Sequence, residues 1–160
     1  MITGKISVID YLQAQRLNRK SVAKWVNISA TVISACGVAM LIAGSKHLGV
    51  LTISAGAGGF LGEYVVAYIY LPYKVKKLHA QQKSLVNKIT YSWDSQHIEA
   101  QSDIGSSKRP WNHYVKVKED AHVFLLYHTD NMFEMVPKSW FPNSEAIDEF
   151  RTMALGAAEA

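Results

Sequence analysis

The chain has 160 residues, a formal net charge of +4 and 49% hydrophobic residues. From residue 25 to residue 73 the only charged side chains are Lys46 and Glu63, and all other charges lie outside this stretch. This partition excludes a single soluble globule and a disordered chain, and it predicts a membrane segment joined to a soluble domain. Residues 84–160 carry more acids than bases, which argues against nucleic-acid binding because phosphate contacts need a basic face.

Residues 1–24 are predicted to form a short strand followed by an amphipathic helix. Apolar and polar residues alternate from residue 4 to residue 9, which is typical of a strand. Asp10 can cap a helix that continues to about Lys20. This helix is expected to lead towards the first apolar stretch.

Residues 25–73 are predicted to be a transmembrane hairpin of two helices. The uncharged stretch 25–45 is long enough to cross a bilayer, which takes about 20 apolar residues. A second apolar stretch, 48–73, follows a turn predicted at Lys46 and His47. Basic residues flank both outer ends, so the positive-inside rule places both termini in the cytoplasm. These bases are Arg16, Arg19, Lys20 and Lys24 before the hairpin, and Lys74, Lys76, Lys77 and Lys83 after it.

Glu63 is the one acidic residue in the predicted hairpin, and we expect it near the middle of the bilayer, opposite Ala30. An unpaired carboxylate there would cost at least about 2.5–3.5 kcal/mol. The first span offers no base, so the structural interpretation is a protonated Glu63 that bonds a hydroxyl group or its copy in a homo-oligomer. Gly58 and Gly62 form a GxxxG pair, which permits close approach of the two helices, and such an oligomer would also pack through them. The alternatives are a ligand or proton site, and a kinked helix in which Glu63 is wetted from the cytoplasm.

Cys36 allows a competing interpretation. It follows Ile33-Ser34-Ala35 in a pattern similar to a bacterial lipobox, which would export the soluble domain after cleavage. The apolar run continues well beyond Cys36, and the stretch before it is long for a signal peptide, so we favour a small packing residue.

The remaining chain is predicted to be a basic juxtamembrane helix over residues 74–83 and a soluble domain over residues 84–156. Short alternating stretches joined by turns predict an antiparallel meander of five or six strands, and residues 105–107 read as a break or an exposed loop. Asn143 or Ser144 is expected to start a closing helix with Ile147 and Phe150 on its inner face. The predicted fold class is α+β: a transmembrane hairpin plus a small antiparallel, pleckstrin-homology-like (PH-like) half barrel with a C-terminal helix.

Three segments carry a family resemblance. They are DYLQAQRL (residues 10–17) ahead of the hairpin, RPWNHYVKVKED (residues 109–120) and VPKSWF (residues 136–141) before the acidic closing helix. In these segments the chain resembles the YcxB-like family of bacterial membrane proteins, although Trp140 stands where a smaller residue is more usual. The resemblance implies a PH-like cytoplasmic domain on a membrane hairpin, and it implies no particular reaction.

The candidate binding residues are basic. Lys74, Lys76 and Lys77 follow the second span, and Lys108 and Arg109 belong to a predicted basic loop; all five are candidates for contact with anionic lipid. The sequence contains no HExxH motif, Cys/His cluster, Walker motif or GxSxG motif, so we expect no catalytic residues, metal or cofactor.

We therefore expect a non-enzymatic protein of the bacterial inner membrane, with both termini in the cytoplasm, whose PH-like domain binds a protein partner or the anionic lipid surface. The second hypothesis is an immunity protein that neutralises a membrane-active or secreted bacterial toxin. A membrane enzyme or transporter subunit that uses Glu63 is the third, and the lack of a second intramembrane acid or base argues against it.

Overall fold

The computed structural model describes residues 1–81 and 87–158, and they form two compact units. Met1–Asn18 and Val75–Ala160 make up the first, here called the sheet domain, and Arg19–Lys74 is the second, here called the helical hairpin. Part of the predicted juxtamembrane helix, residues 82–83, lies outside the described residues, as do residues 84–86 at the start of the predicted soluble domain.

The sheet domain contains two antiparallel sheets and a C-terminal helix. The first sheet has the order β1 (Ile2–Gly4), β2 (Ile89–Trp93), β3 (His97–Ser102) and β4 (Gly105–Pro110). The second has the order β5 (Lys116–Glu119), β6 (Val123–Tyr127) and β7 (Phe133–Pro137). A closing helix, α4, covers Ser144–Ala158, and short 3-10 turns lie at Trp111–His113 and Lys138–Trp140. Together with the long apolar helices of the chain, this confirms the predicted α+β fold.

The N-terminal segment is part of the first sheet. β1 pairs with β2 in the register Ile2 to Tyr91 and Gly4 to Ile89, and the hydroxyls of Thr3 and Thr90 lie 2.9 Å apart. The prediction placed residues 1–24 and residues 84–156 in separate domains. It therefore separated β1 from the sheet domain that this strand completes. The sheet domain is therefore built from both ends of the chain, and the helical hairpin is inserted between β1 and β2.

The start of the first helix differs from the prediction. The strand ends at Gly4, and helix α1 begins at Val8 and continues to Ile42. Ser7 is the N-cap: its hydroxyl accepts from the Asp10 N–H at 3.1 Å, while its own N–H donates to the Asp10 carboxylate at 2.9 Å. This reciprocal pair is a capping box, so Asp10 contributes from inside the helix and is not the cap itself.

Strand β4 occupies the segment that was predicted to be a break or loop. It pairs with β3 along its whole length, from Ser102 opposite Gly105 to His97 opposite Pro110. Gly, Ser and Pro disfavour a strand on propensity alone, and here the pairing with β3 overrides that preference. Lys108 and Arg109 therefore lie on a strand.

Aromatic rings form the core of the sheet domain. Phe150, fully buried on α4, packs against Trp93, Trp111, Phe124 and Phe141 at centroid distances of 5.1–5.6 Å. The side chain of Asn143 accepts from the Ala146 N–H at 2.9 Å, which confirms the predicted start of the closing helix.

Trp140 lies against β1. A Cβ atom on Gly4 would overlap the indole ring, so the glycine leaves the room that this large side chain needs. The unusual Trp140 is thus accommodated by a residue that is distant in sequence.

Two long helices flank the turn of the helical hairpin. After α1, α2 covers Lys46–Val65, a π-helical segment covers Val66–Tyr70, and α3 covers Leu71–Gln81. Gly44 has φ +87° in the turn, which therefore comes a few residues earlier than the predicted Lys46 and His47. Val8–Ile42 and Lys46–Gln81 are both long and apolar enough to span a membrane.

The glycines that bring α1 and α2 together are not the predicted pair. An added Cβ on Gly56 or Gly59 would meet Ala30, whereas one on Gly58 or Gly62 would meet no atom of the described chain within 4 Å. The prediction that Gly58 and Gly62 form the helix contact is therefore wrong within one chain. Their role in a homo-oligomer stays a prediction.

Candidate functional site

An ion-pair cluster connects the two sheets of the sheet domain. Arg109 on β4 donates through Nη1 to Oε1 of Glu134 on β7, and the Tyr114 hydroxyl donates to Glu134 Oε2 at 3.0 Å. His128 Nε2 lies 3.0 Å from Glu134 Oε1 and 2.7 Å from Arg109 Nη1. We call these four residues the Glu134 cluster, and in it one carboxylate is surrounded by three groups that can donate a hydrogen bond.

The surroundings of the cluster keep its tyrosine neutral. Burial raises the pKa of Tyr114, and the negative charge of Glu134 raises it further. Burial likewise raises the pKa of Tyr91, and the negative charge of Glu134 raises it further. The Tyr114 ring packs against His128 with the centroids 4.7 Å apart and the ring planes tilted by 34°. Tyr114 therefore acts as a hydrogen-bond donor.

Two cavities of the sheet domain share Glu134 as a lining residue. The first has a volume of about 410 Å³ and is bounded by α1, β4 and the β6–β7 turn; its lining residues are Tyr11, Gln15, Arg109, His128, Asn131, Met132, Phe133, Glu134 and Met135. The second, of about 370 Å³, lies on the first sheet and is lined by Ile89, Tyr91, Ala100, Gln101, Ser102, Ile104, Gly105, Ser106, Ser107 and Glu134. Both volumes lie in the range of small-molecule sites.

A second polar network ties the closing helix to the second sheet. Glu119 on β5 accepts from Arg151 on α4 at 2.6–2.9 Å and also from Lys138. Hydrogen bonds from Arg151 and Lys138 hold the pKa of the Glu119 carboxyl below its usual range. Its three side chains are already bonded to one another through Glu119, so we assign it a structural role.

Hydrogen bonds also hold the two helical segments of the sheet domain. Asn18 on α1 accepts from Lys118 through its main-chain carbonyl at 3.0 Å and from Tyr127 through its side chain at 2.7 Å. His79 on α3 lies 2.8 Å from the Ile6 carbonyl oxygen. Within the sheet domain, these hydrogen bonds therefore hold the segments that lie just before and just after the inserted hairpin.

Glu63 has a basic partner, contrary to the prediction. Both of its carboxylate oxygens accept from the two Nη atoms of Arg19 at 2.9 Å, in a bidentate pair. Ala30, the residue predicted opposite Glu63, instead lies beside Gly56 and Gly59. The earlier turn shifts the pairing of the helices, and the long arginine side chain spans the remaining distance. The interpretation that Glu63 bonds only a hydroxyl or its copy is therefore wrong for the single chain.

The residues predicted for anionic lipid lie in two different environments. Lys74, Lys76, Lys77 and Lys108 are exposed, and Lys108 stands opposite Glu99 on the neighbouring strand. Arg109 belongs to the Glu134 cluster and not to an exposed basic loop. Lipid contact of these residues stays a prediction.

Sequence reasoning missed Tyr114, His128 and Glu134 as a group. The one local signal is Glu134 itself, an acid within the otherwise apolar stretch from residue 132 to residue 137. In the described part of the chain, the structure brings together no group of three or more His, Cys, Asp or Glu side chains that could hold a metal ion.

One comparison with known proteins gives a match. The sequence model of the family described as YcxB-like protein matches residues 93–154. This segment contains the second and third of the quoted motifs and does not include residues 10–17. No curated protein and no solved structure matches the chain. The match confirms the predicted resemblance to the YcxB-like family over residues 93–154, from the end of β2 into the closing helix.

Proposed function

We propose that the protein is a non-enzymatic binding protein of the bacterial inner membrane. The hairpin spans the membrane, both termini are cytoplasmic, and the PH-like sheet domain binds the anionic lipid surface or a protein partner there.

The observation that carries this proposal is the pairing of β1 with β2. These strands lie on either side of two helices that are each long enough to span a membrane. A domain folded from both flanking segments lies on one side of a membrane, so the chain between them crosses an even number of times. A two-span hairpin satisfies this condition.

The Arg19–Glu63 pair supports a revised depth for Glu63. A helix of about 20 residues spans the roughly 30 Å of hydrocarbon in a bilayer. Measured from the Gly44 turn, residues 23–42 and 46–65 would then lie in the hydrocarbon. Glu63 then lies within a helical turn of the cytoplasmic boundary, and Arg19 lies about one turn outside it. An arginine at this depth extends its guanidinium towards the interface, which makes the pair far less costly than a carboxylate at mid-bilayer.

The exposed lysines after the second span support a role at the lipid surface. Each lysine near an anionic leaflet contributes on the order of 1 kcal/mol, and salt screens the attraction. Lys74, Lys76 and Lys77 are all exposed and close together in sequence. They provide the attraction expected of an anchored domain that works at the membrane surface.

Photo-crosslinking to lipid tests the proposed contact. The full chain is reconstituted with photoactivatable phosphatidylglycerol, and Lys74, Lys76 and Lys77 are changed together to Gln. We expect crosslinking to fall several-fold relative to wild type, and the wild-type signal to weaken with salt. The matched control changes the exposed Lys5, Lys88 and Lys116 to Gln, which removes the same charge elsewhere. Equal crosslinking in the two triple variants would contradict a specific role for the juxtamembrane lysines.

The immunity hypothesis stays a prediction, because no feature of the described structure favours it over the lipid or partner interpretation. A toxin gene beside this one would favour immunity, and capture of a resident membrane-surface protein by the wild-type chain would favour recruitment.

A further inference from the structure

We propose that the 410 Å³ cavity of the sheet domain binds a ligand through an oxyanion, a carboxylate or phosphate group, which takes the place of Glu134 on Arg109, His128 and Tyr114. This inference concerns the sheet domain alone and does not depend on the membrane topology proposed above.

The donors around Glu134 form a site suited to an oxyanion. An arginine, a tyrosine hydroxyl and an imidazole converge on the two oxygens of one carboxylate. Arginine is suited to carboxylate and phosphate because its planar guanidinium presents five N–H donors. Glu134 thus acts as an internal occupant of a site that an external acid can fill.

Arg109 keeps further binding capacity. Among the described residues it bonds Glu134 through Nη1, which also lies 2.7 Å from His128 Nε2, while its Nε and second Nη bond no residue there. Its side chain is about one third exposed and lines the cavity. A ligand oxyanion can therefore engage Arg109 first and displace Glu134 afterwards.

The other side chains of the cavity wall indicate which kind of group should carry the oxyanion. Tyr11, Phe133 and Met135 supply aromatic and apolar surface, and Met132 is largely exposed beside Asn131 in the β6–β7 turn. These side chains would bury a small aromatic or apolar group of the ligand, and flexible methionines adapt to groups of different shape. The favoured ligand is therefore an amphipathic acid, either a soluble compound or an acidic lipid headgroup.

Ligand-observed NMR with benzoate tests the proposal on the full chain in phosphatidylcholine nanodiscs. Benzamide, which is neutral and nearly the same shape, is the matched probe. We expect saturable binding of benzoate and at least fivefold weaker binding of benzamide. Glu134→Gln removes the competing charge and should tighten benzoate binding by about tenfold. Arg109→Gln should abolish binding, whereas Lys108→Gln, on the same strand but outside the cavity, should change it less than about twofold.

A further variant keeps the test decisive if Arg109→Gln does not fold. Asn131→Asp places a negative charge at the cavity mouth without touching the cluster, and it should weaken benzoate several-fold while leaving benzamide unchanged. Equal binding of the two probes, no saturable benzoate binding in either wild type or Glu134→Gln, or unchanged benzoate affinity in a folded Arg109→Gln would each overturn the proposal.

Repeating the titration in phosphatidylglycerol nanodiscs identifies the source of the oxyanion. A lipid headgroup that occupies the cavity lowers the apparent benzoate affinity, whereas an unchanged affinity assigns the site to soluble acids.

Discussion

At the scale of single residues, Phe150 packs at the centre of the sheet domain's aromatic core, and Glu63 forms an ion pair in the helical hairpin. Phe150 was expected on the inner face of the closing helix, and its contact with four aromatic rings confirms this. Glu63 was expected to lack a basic partner, and it has one in Arg19. Helical periodicity is enough to predict that Phe150 faces the core. The partner of Glu63, in contrast, depends on the position of the turn between α1 and α2.

Truncation of Phe150 tests the core. Phe150→Ala should destabilise the sheet domain by about 3–5 kcal/mol because it removes a fully buried ring. The measurement is thermal unfolding of the full chain, since a fragment that starts at residue 84 would lack β1. Leu155→Ala, on the same helix but 39% exposed, is the control and should cost much less. Equal losses in the two variants would contradict the assigned inner face.

The Arg19–Glu63 pair is tested by a double-mutant cycle. Arg19→Gln and Glu63→Gln should each destabilise the hairpin, because each leaves one charge without its partner. The double variant should lose less than the sum of the two, with a coupling of about 0.5–3 kcal/mol. Unfolding of the full chain in lipid nanodiscs gives the energies. Additive losses would mean that the two side chains do not interact.

At the scale of elements, composition predicted the long helices well and the contact between them poorly. The GxxxG pair Gly58 and Gly62 was the visible motif, yet Gly56 and Gly59 face α1. All four glycines lie within two helical turns, so only the position of the hairpin turn decides which of them face the other helix. The sequence pattern does not contain that information.

Paired glycine substitutions test this contact. Gly56→Val should disrupt the hairpin because its side chain would overlap Ser34 and the backbone at Ala30. Gly58→Val should leave the hairpin intact, since no atom of the described residues lies within 4 Å of a Cβ added there. Crosslinking between cysteines introduced on α1 and α2 reports the contact. If Gly58→Val breaks it and Gly56→Val does not, the observed helix face is wrong; loss of a dimer in Gly58→Val alone would support the predicted oligomer.

Strands show the same limit of sequence reasoning. All five residues of β6 are apolar and buried, so the sequence alone indicates this strand. β4 was missed, since Gly, Ser and Pro become a strand only when β3 supplies the hydrogen bonds. The Glu134 cluster was missed with it, because Arg109 meets Glu134 only when two separate sheets come together.

At the scale of the whole molecule, the sequence was sufficient for the α+β class and for the resemblance to the YcxB-like family. It was not sufficient for the domain boundary. β1 is three residues long, and its partner lies more than 80 residues away, beyond two apolar helices. No local pattern reports such a pairing, although it determines which parts of the chain fold together.

The central claim is that a membrane hairpin is inserted into a cytoplasmic sheet domain. The most direct test is cysteine labelling in intact cells after Cys36→Ala. His47→Cys, exposed near the start of α2, should react with a membrane-impermeant maleimide from outside, and Glu145→Cys on α4 should react only after permeabilisation. Labelling of Glu145→Cys in intact cells, with His47→Cys protected, would contradict the account.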